Sequence, residues 1–543
     1  FFESWLSCST GFSDRRIARR RHHCVSYATS PRDLCRQSTE RLEDRCLLTT
    51  IDLATLTAAQ GSTILGADAD DQSGISVSSA GDVNGDGFDD LLIGAFTAAA
   101  AANAKISAGE SYVIFGGASL PATVDLASLG ASGLTIHGVD PGDRSGGDVS
   151  SAGDVNGDGF DDLLIGAAST SAAGNSKLGA GESYVIFGGA SLPTTIDLAS
   201  LGPDGFTIYG ADVGDSNGFS LSRAGDVNGD GFDDLLIGAS IADAAGNAKD
   251  RAGDSYVIFG GDSLPATIDL ANLGSAGLTI HGIDIDDYSG TSVSGAGDLN
   301  GDGFDDLLIG AAGGDAAGNN KGLAGESYVI FGGDSLPATI DLASPNTTGI
   351  TIYGSDAGDR SGTSVSSAGD VNGDGFDDLL IGARFADAAG NAKSAAGESY
   401  VVFGGGSLPA SIDLASLGIA GLTIYGADAS DYSGISVSGA GDVNGDGFDD
   451  LLIGAYRADA VGNAKAGAGE SYVIFGSGSL PATVDLANLG ADGLTIYGVD
   501  AGDDSGRSVS SGGDVNGDGF DDLLIGARIA DGAGNTKETA GES

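Results

Sequence analysis

A glycine-rich acidic loop is the part of this sequence best equipped for chemistry. In GDVNGDGFDDLLIGA, side-chain oxygens fall at loop positions 1, 3, 5 and 9, from Asp82, Asn84, Asp86 and Asp90, and Phe88 offers a backbone carbonyl at position 7. The glycines between them permit positive φ, so the loop can curl around one point. Hard oxygen donors in a flexible loop suit Ca²⁺, which takes about six to eight of them, whereas Mg²⁺ demands tighter octahedral geometry. We therefore expect a calcium site.

The loop has three other interpretations. Its first half resembles an EF-hand loop, but position 12, where an EF-hand has a bidentate Glu, is Ile93 in an apolar run. A dockerin interpretation fails for the same reason. A plain Asp/Asn/Gly turn without metal is the alternative, and one such turn alone is weak evidence of metal binding. Asp89, at position 8, points away from the expected ligands, which favours a capping or surface role.

The loop occurs seven times, with its first Asp repeating every 72 residues. Seven copies with the same oxygen donors favour metal binding, because the acids of an unliganded loop would repel one another. We expect about seven calcium ions. The expected side-chain ligands are Asp82, Asn84, Asp86, Asp90, Asp154, Asn156, Asp158, Asp162, Asp226, Asn228, Asp230, Asp234, Asp298, Asn300, Asp302, Asp306, Asp370, Asn372, Asp374, Asp378, Asp442, Asn444, Asp446, Asp450, Asp514, Asn516, Asp518 and Asp522.

The strict period indicates one supersecondary unit used seven times. Each unit has four short apolar runs, typified by SVSSAGDV, DLLIGA, SYVIFGG and LTIYGAD, bounded by turn residues as strands are. DLLIGA and SYVIFGG hardly alternate, so both of their faces should be buried. These features predict an all-β fold, a seven-bladed β-propeller of four-stranded antiparallel blades, with an open solenoid as the alternative. The stretch ATIDLASLG fits either a helical turn or a strand edge.

The charge distribution separates two regions. The chain of 543 residues has a formal net charge of −53, and residues 51–543 carry 15 basic against 71 acidic groups. Such a surface repels nucleic acid and anionic membranes and attracts cations. The sequence also lacks an apolar run long enough to span a membrane. Since 41% of residues are hydrophobic and cluster in short runs, we expect residues 51–543 to fold.

The repeat resembles the FG-GAP repeat, the blade unit of the integrin α-subunit propeller and of many bacterial surface proteins. DVNGDGFDDLLIGA and the trailing SYVIFGG carry the resemblance, which covers about 51–543. It implies calcium at the loop positions given above. Two departures leave those ligands untouched: the leading FG is SG in most units, and the trailing GAP is GA plus a variable residue.

The two ends of the sequence differ from the repeats. Residues 1–50 are Arg-rich, lack the apolar core of a signal peptide and are expected to be mostly disordered. Within them, RLEDRCLLT resembles a short element near the N-terminus of large exported proteins of planctomycete-type bacteria, which favours export. The sequence stops at AGES, before an eighth SYVIFGG, and this indicates truncation of the propeller at its C-terminus. The N-terminal STILGA could close the ring against the seventh blade.

The loop after DLLIGA is where the copies differ most. Because connections in an up-and-down blade alternate between its two ends, this loop and the one before SGISVSS should lie opposite the calcium loops. Exposed aromatic and Arg side chains are residue types that interfaces favour. We expect a partner to bind this face, with drift of unconstrained loops as the alternative. The expected contact residues are Arg384, Phe385, Tyr456, Arg457 and Arg528.

These features favour an extracellular or cell-surface calcium-binding propeller that binds a protein or polysaccharide, with calcium in a structural role. The alternatives are a non-catalytic propeller module of a larger secreted enzyme and a structural surface-layer or matrix protein. No residue set suggests catalysis: a nucleophile elbow and a zinc set are absent. His137 and His281 occupy a repeat position that is Tyr elsewhere, which favours a structural role.

Overall fold

The computed structural model describes residues 49–543, except 101–103, 173–175, 245–247, 317, 319, 344–348 and 533–536. Leu48–Ser543 forms one compact unit. The Arg-rich segment 1–50 and its RLEDRCLLT element lie outside the described residues, apart from the last two positions. Inside them the chain forms an all-β β-propeller, as the short apolar runs predict.

Each repeat supplies strands from the inside of the propeller outward. The inner strands carry SVSSAG or its variants, and the second strands carry DLLIGA. The inner strands are β3 (Val77–Gly81), β8 (Val149–Gly153), β13 (Ser220–Gly225), β18 (Ser289–Gly297), β23 (Ser364–Gly369), β28 (Ser436–Gly441) and β33 (Ser508–Gly513). The second strands are β4 (Asp90–Ala95), β9 (Asp162–Ala167), β14 (Asp234–Ala239), β19 (Asp306–Ala311), β24 (Asp378–Ala383), β29 (Asp450–Ala455) and β34 (Asp522–Gly526).

The third and fourth strands come from the SYVI and LTIY runs and continue the antiparallel order. The third strands are β5 (Glu110–Ile114), β10 (Glu182–Ile186), β15 (Asp254–Ile258), β20 (Glu326–Ile330), β25 (Glu398–Val402) and β30 (Glu470–Ile474). The fourth strands are β7 (Gly133–His137), β12 (Gly205–Tyr209), β17 (Gly277–His281), β22 (Gly349–Tyr353), β27 (Gly421–Tyr425) and β32 (Gly493–Tyr497).

The prediction of four-stranded blades is wrong by one strand. A three-residue strand pairs in parallel with each fourth strand and belongs to the next repeat, as β11 pairs with β7. It covers backbone groups that the sheet edge would otherwise leave unpaired. These outer strands are β1 (Thr50–Asp52, on β32), β6 (Thr123–Asp125), β11 (Thr195–Asp197), β16 (Thr267–Asp269), β21 (Thr339–Asp341), β26 (Ser411–Asp413) and β31 (Thr483–Asp485).

The stretch ATIDLASLG contains both of the structures that its sequence left open. The outer strand passes directly into a 3₁₀ turn, and the Asp that ends the strand caps it, as Asp125 accepts from the Ala127 N–H at 3.1 Å. The 3₁₀ turns are Leu53–Thr55, Leu126–Ser128, Leu198–Ser200, Leu270–Asn272, Leu414–Ser416 and Leu486–Asn488. Two one-turn helices are α1 (Ala388–Asn391) and α2 (Ala460–Asn463). No helix in the described part of the chain is long and apolar enough to cross a membrane.

Six five-stranded sheets are complete within the described residues. The remaining strands form two pairs, β33–β34 and β6 with β2 (Thr63–Leu65). Glu542 bridges these pairs, because it forms single antiparallel bridges with Ala527 and with Leu65. Backbone hydrogen bonds of 2.7 and 3.0 Å also join Ile64 and Ser543. The STILGA segment therefore lies beside the last repeat, where ring closure would place it.

The inner strands are linked in a continuous series. The hydroxyl of a serine at or just before one inner strand accepts from a backbone N–H of the next, as Ser76 does from Val149 at 3.1 Å. Between β8 and β13 the Asp148 carboxylate takes the place of the serine and accepts from the Leu221 N–H at 2.7 Å. The series includes β33 and β3, joined by Ser508 and Val77 at 3.1 Å. The apolar core lies between neighbouring sheets: Leu92 of β4 shares one buried cluster with residues of the next sheet. The all-apolar DLLIGA run is thus explained by burial on both faces.

A matched pair of glycines tests how tightly successive acidic loops pack. Both Gly157 and Gly159 have positive φ, 76° and 91°. A Cβ on Gly157 would lie 2.5 Å from the Phe232 ring of the next sheet, whereas one on Gly159 would meet nothing within 4 Å. Both alanine variants carry backbone strain, but Gly157→Ala also carries overpacking of about 1–3 kcal/mol. We expect denaturant unfolding to show Gly157→Ala as the less stable variant. Equal stabilities would contradict this packing.

Candidate metal centre and the opposite face

Each acidic loop joins an inner strand to a second strand and curls around the side chain of its first Asp. In the first copy, Asp82 Oδ1 accepts from the N–H groups of Gly85 at 2.7 Å and Asp86 at 3.0 Å. Its Oδ2 accepts from the Gly87 N–H at 2.9 Å, and Asp86 Oδ1 accepts from the Phe88 N–H at 3.1 Å. The other six copies repeat this pattern.

The ninth loop residue is the most buried member of the set. Asp90 begins β4 and is fully shielded from solvent. Its Oδ2 accepts from the Val83 N–H at 3.2 Å, and its Oδ1 accepts from the Gly116 N–H at 2.8 Å. The Asn84 Nδ2 lies 3.2 Å from the same carboxylate. This one side chain therefore connects the loop, the second strand and the segment after the third strand.

Burial raises the pKa of Asp90 to about 7, and the nearby charges of Asp86 and Asp82 push it in the same direction against the two backbone donors. The equivalent carboxyls behave alike. The pKa is raised to about 8 at Asp162 and Asp234, to about 7 at Asp306, Asp378 and Asp450, and to about 6 at Asp522. Each loop thus concentrates negative charge around a carboxyl that has lost its hydration.

The eighth loop residue has a different partner. Asp161 Oδ2 accepts from the Asp82 N–H of the preceding repeat at 2.9 Å. All seven loops make this link at 2.8–2.9 Å, including Asp89 to Asp514. This is the capping role expected from its position, and it ties each acidic loop to its neighbour.

The donor set of each loop suits calcium in kind, since it offers three carboxylates, one carboxamide and one backbone carbonyl, all oxygen. Among the described residues, however, no group of three or more His, Cys, Asp or Glu is arranged so that it could hold a metal ion. Asn84 turns its amide nitrogen toward Asp90, and exchanging the amide N and O would aim its oxygen there instead. The calcium ligands therefore stay a prediction.

The opposite face is the end of the sheets that carries the loops after the second strands and those before the inner strands. Here Phe385 meets Tyr432 edge to face, with 5.6 Å between ring centroids, and Tyr432 stacks on Tyr456 at 6.1 Å. The Arg384 guanidinium lies 4.7 Å from the Phe385 centroid, and that of Arg457 lies 5.4 Å from the Tyr456 centroid. The structure thus brings four of the five expected contact residues into one cluster.

The fifth expected residue, Arg528, lies at the edge of this cluster, 3.8 Å from the Asp504 carboxylate. Sequence reasoning missed Tyr432, Arg360 and Arg507. The Arg360 guanidinium lies 5.6 Å from the Phe385 ring centroid, and the Arg507 guanidinium lies 5.1 Å from the Tyr456 ring centroid. The signal was present in the loops before the inner strands: the residue before SG is Arg360 in one copy and Tyr432 in the next, and the residue after SG is Arg507 in the last copy.

The two histidines singled out by the sequence make cross-strand pairs. His137 Nδ1 lies 2.8 Å from Glu110, and His281 Nδ1 lies 2.8 Å from Asp254. The hydrogen bond to Asp254 is the main cause of the raised pKa of His281. Both contacts stabilise pairing between a third and a fourth strand, which is a structural role.

Comparison with known proteins shows which family these repeats match. A family model described as FG-GAP repeat matches residues 73–113, 146–186, 217–258, 289–330, 361–402, 433–474 and 505–540, just over half of the chain.

Integrin alpha-5 of Xenopus laevis is 32% identical over 238 residues, 42% of this chain and 20% of the relative. Integrin alpha pat-2 of Caenorhabditis elegans is 31% identical over 263 residues, 48% of this chain and 19% of the relative. Phosphatidylinositol-glycan-specific phospholipase D of Bos taurus is 33% identical over 184 residues, 34% of this chain and 20% of the relative. The chain spans about a fifth of the length of these curated relatives.

The buried carboxyls predict an unusual pH dependence when calcium is chelated. Native Asp90 keeps its proton up to about pH 7, whereas unfolded Asp loses it near pH 4, so the native state binds more protons between these values. In EGTA, we expect the thermal midpoint to fall as pH rises from 5 to 8. Asp71, Asp287 and Asp359, whose pKa burial also raises to about 7, act in the same direction.

Saturating calcium should weaken or reverse this fall, because ionised carboxylates are the form that binds the ion. Asp90→Asn removes one titrating group and should flatten the profile in EGTA. A midpoint that rises steadily with pH in EGTA would contradict the shifts.

Proposed function

The chain belongs to the FG-GAP repeat family, and we propose that it is a seven-bladed, calcium-stabilised propeller that binds a partner outside the cell. Seven matches to the repeat support the blade count. The seventh blade would combine β33 and β34 with Gly541–Ser543, β2 and β6. The Glu542 bridges on both sides support this assembly.

Calcium would serve a structural role in this proposal. Each loop gathers three carboxylates, and six of the seven ninth-position side chains are fully buried. A bound cation would neutralise these carboxylates. The side chains of loop positions 1, 3, 5 and 9 would hold it. At a free concentration ten times Kd, one site adds about 1.4 kcal/mol, so seven sites add on the order of 10 kcal/mol. This equals the stability of a typical domain.

The binding function rests on one observation: the repeats differ most on the face opposite the acidic loops, where aromatic and Arg side chains cluster. Such side chains are typical anchors of protein interfaces. The resemblance to integrin alpha chains supports adhesion or protein binding, with a polysaccharide as the other partner class. An extracellular or cell-surface location follows from the same resemblance and suits weak calcium sites, which fill at millimolar calcium.

A second candidate function has its own support. The match to phosphatidylinositol-glycan-specific phospholipase D shows the same repeat type within an enzyme chain. This chain would then be the non-catalytic propeller of a longer secreted enzyme. The complete gene sequence decides between the two, since a catalytic domain in the same chain favours the second candidate.

Calcium binding has a direct test. We expect about seven ions per chain by titration calorimetry or metal analysis, and a large fall of the thermal midpoint when EGTA replaces millimolar calcium. A stoichiometry near zero with an unchanged midpoint would reduce the loops to plain turns.

Two neighbouring residues provide a matched pair for that test. Asp90→Asn removes an expected ligand, whereas Asp89→Asn removes the same charge from the capping position and leaves an oxygen that can accept the Asp514 N–H. We expect the first variant to lose one ion per chain and the second to keep the full count. The same count in both variants would remove Asp90 from the ligand set.

The binding face is tested by replacing Arg384, Phe385, Tyr456, Arg457 and Arg528 with Ala. We expect the calcium-loaded wild-type chain to bind at least one member of a panel of immobilised extracellular proteins and polysaccharides. The five-residue variant should lose that binding while keeping its thermal midpoint. Equal binding by both chains would place the partner elsewhere.

A further inference from the structure

The opposite face carries a cationic cluster on an otherwise acidic chain. We use this name for the five arginines that surround the aromatic row of Phe385, Tyr432 and Tyr456. The members of the cationic cluster are Arg360, Arg384, Arg457, Arg507 and Arg528. With a formal net charge of −53 over the whole sequence, five arginines in one place are a marked local reversal of sign.

The cluster holds one acid for five arginines: burial raises the pKa of Asp504, and the charges of Arg528, Arg457 and Arg507 oppose that rise. Among the described residues, the one ion pair made by its members joins Arg528 to Asp504 at 3.8 Å. The Nε atoms of Arg384 and Arg528 are buried and have no hydrogen-bond partner there. Burial lowers the pKa of Arg384 and Arg507, and the charges of neighbouring arginines contribute. An anion placed beside these guanidinium groups would neutralise positive charge that one carboxylate does not balance.

An open cleft of about 490 Å³ lies directly beside the cluster, and Arg360 and Arg384 form part of its wall. Its other walls include Phe219, Ile241 and Leu323, large apolar side chains that are 54%, 39% and 41% exposed. The volume is that of a ligand pocket. The cleft therefore joins a cationic wall to an apolar one.

We propose that this cleft binds a peptide segment of a protein partner, one that presents an Asp or Glu carboxylate next to a large apolar side chain. The carboxylate would pair with Arg360 and Arg384, because guanidinium groups match its planar geometry. The apolar side chain would cover Phe219 and Ile241. This inference rests on the proposed binding face and adds the chemistry of its ligand.

Charge and shape both favour this ligand over an acidic polysaccharide. A long polyanion would have to approach a chain of net charge −53, whereas a single carboxylate reaches only the local positive field, which acts within about 8 Å at physiological salt. The exposed Ile and Leu side chains also match an apolar side chain better than a hydrated sugar.

Display of random peptides against the calcium-loaded propeller tests the inference. We expect selected peptides to contain Asp or Glu beside Leu, Ile or an aromatic residue. Binding of a selected peptide, measured by fluorescence anisotropy, should weaken at least about thirtyfold in Arg360→Gln/Arg384→Gln. Arg223→Gln, the control for Arg360→Gln, removes one positive charge from a residue paired with Asp233 near the acidic loops, and should leave the affinity unchanged.

Arg360 is solvent-exposed, so the single variant Arg360→Gln keeps the test valid if the double variant unfolds. Failure to enrich acidic peptides, or equal binding by the variants, would overturn the inference. Salt-sensitive binding of a sulfated polysaccharide that is lost in the double variant, with no peptide selected, would overturn the peptide ligand yet keep the binding face. A variant with Ala at Arg384, Phe385, Tyr456, Arg457 and Arg528 that binds every ligand as the wild type does would instead reject the proposed binding face.

Discussion

The structure depends on a carboxylate buried at the start of each second strand. The Asp90 carboxylate is shielded from water, and two backbone N–H groups from separate segments replace part of its hydration. A buried carboxylate surrounded by other acids is costly unless a proton or a cation neutralises it. The shape of the loop, the register of the second strand and the dependence of stability on pH and calcium all depend on this residue. The same constraint explains why an Asp begins an otherwise apolar, buried strand.

Neighbouring repeats are joined at three levels. Near the acidic loops, an Asp of one repeat caps the backbone of the previous one, as Asp161 does for Asp82. At the inner strands a serine hydroxyl bridges to the next strand. At the outer edge, each sheet borrows a strand from the following repeat. Since every repeat both gives and receives these contacts, no sheet is completed by its own sequence alone.

Much of this could be predicted from the sequence, because a 72-residue period repeats every local signal seven times. The four main strands follow from short apolar runs bounded by turn residues. The curled loops follow from the positions of their glycines, and the two opposite faces follow from the direction of the chain. The outer strand escaped prediction because three residues, such as Thr195–Asp197, are too few to show periodicity and their partner lies in another repeat. Tyr432 and Arg507 were not predicted because only folding brings their two loops beside Arg384 and Tyr456.

The borrowed outer strand has a consequence for how such a gene can change. Equivalent strands pair in equivalent registers in every repeat, with Thr opposite Thr or Ser at the first position of each outer strand that pairs with a fourth strand. Unequal crossing-over between any two copies therefore regenerates all the pairing partners at the new junction. Duplication or loss of a 72-residue segment alters the circumference of the ring while leaving each local contact intact. Point changes at the tips of the loops can then vary the exposed side chains without disturbing assembly.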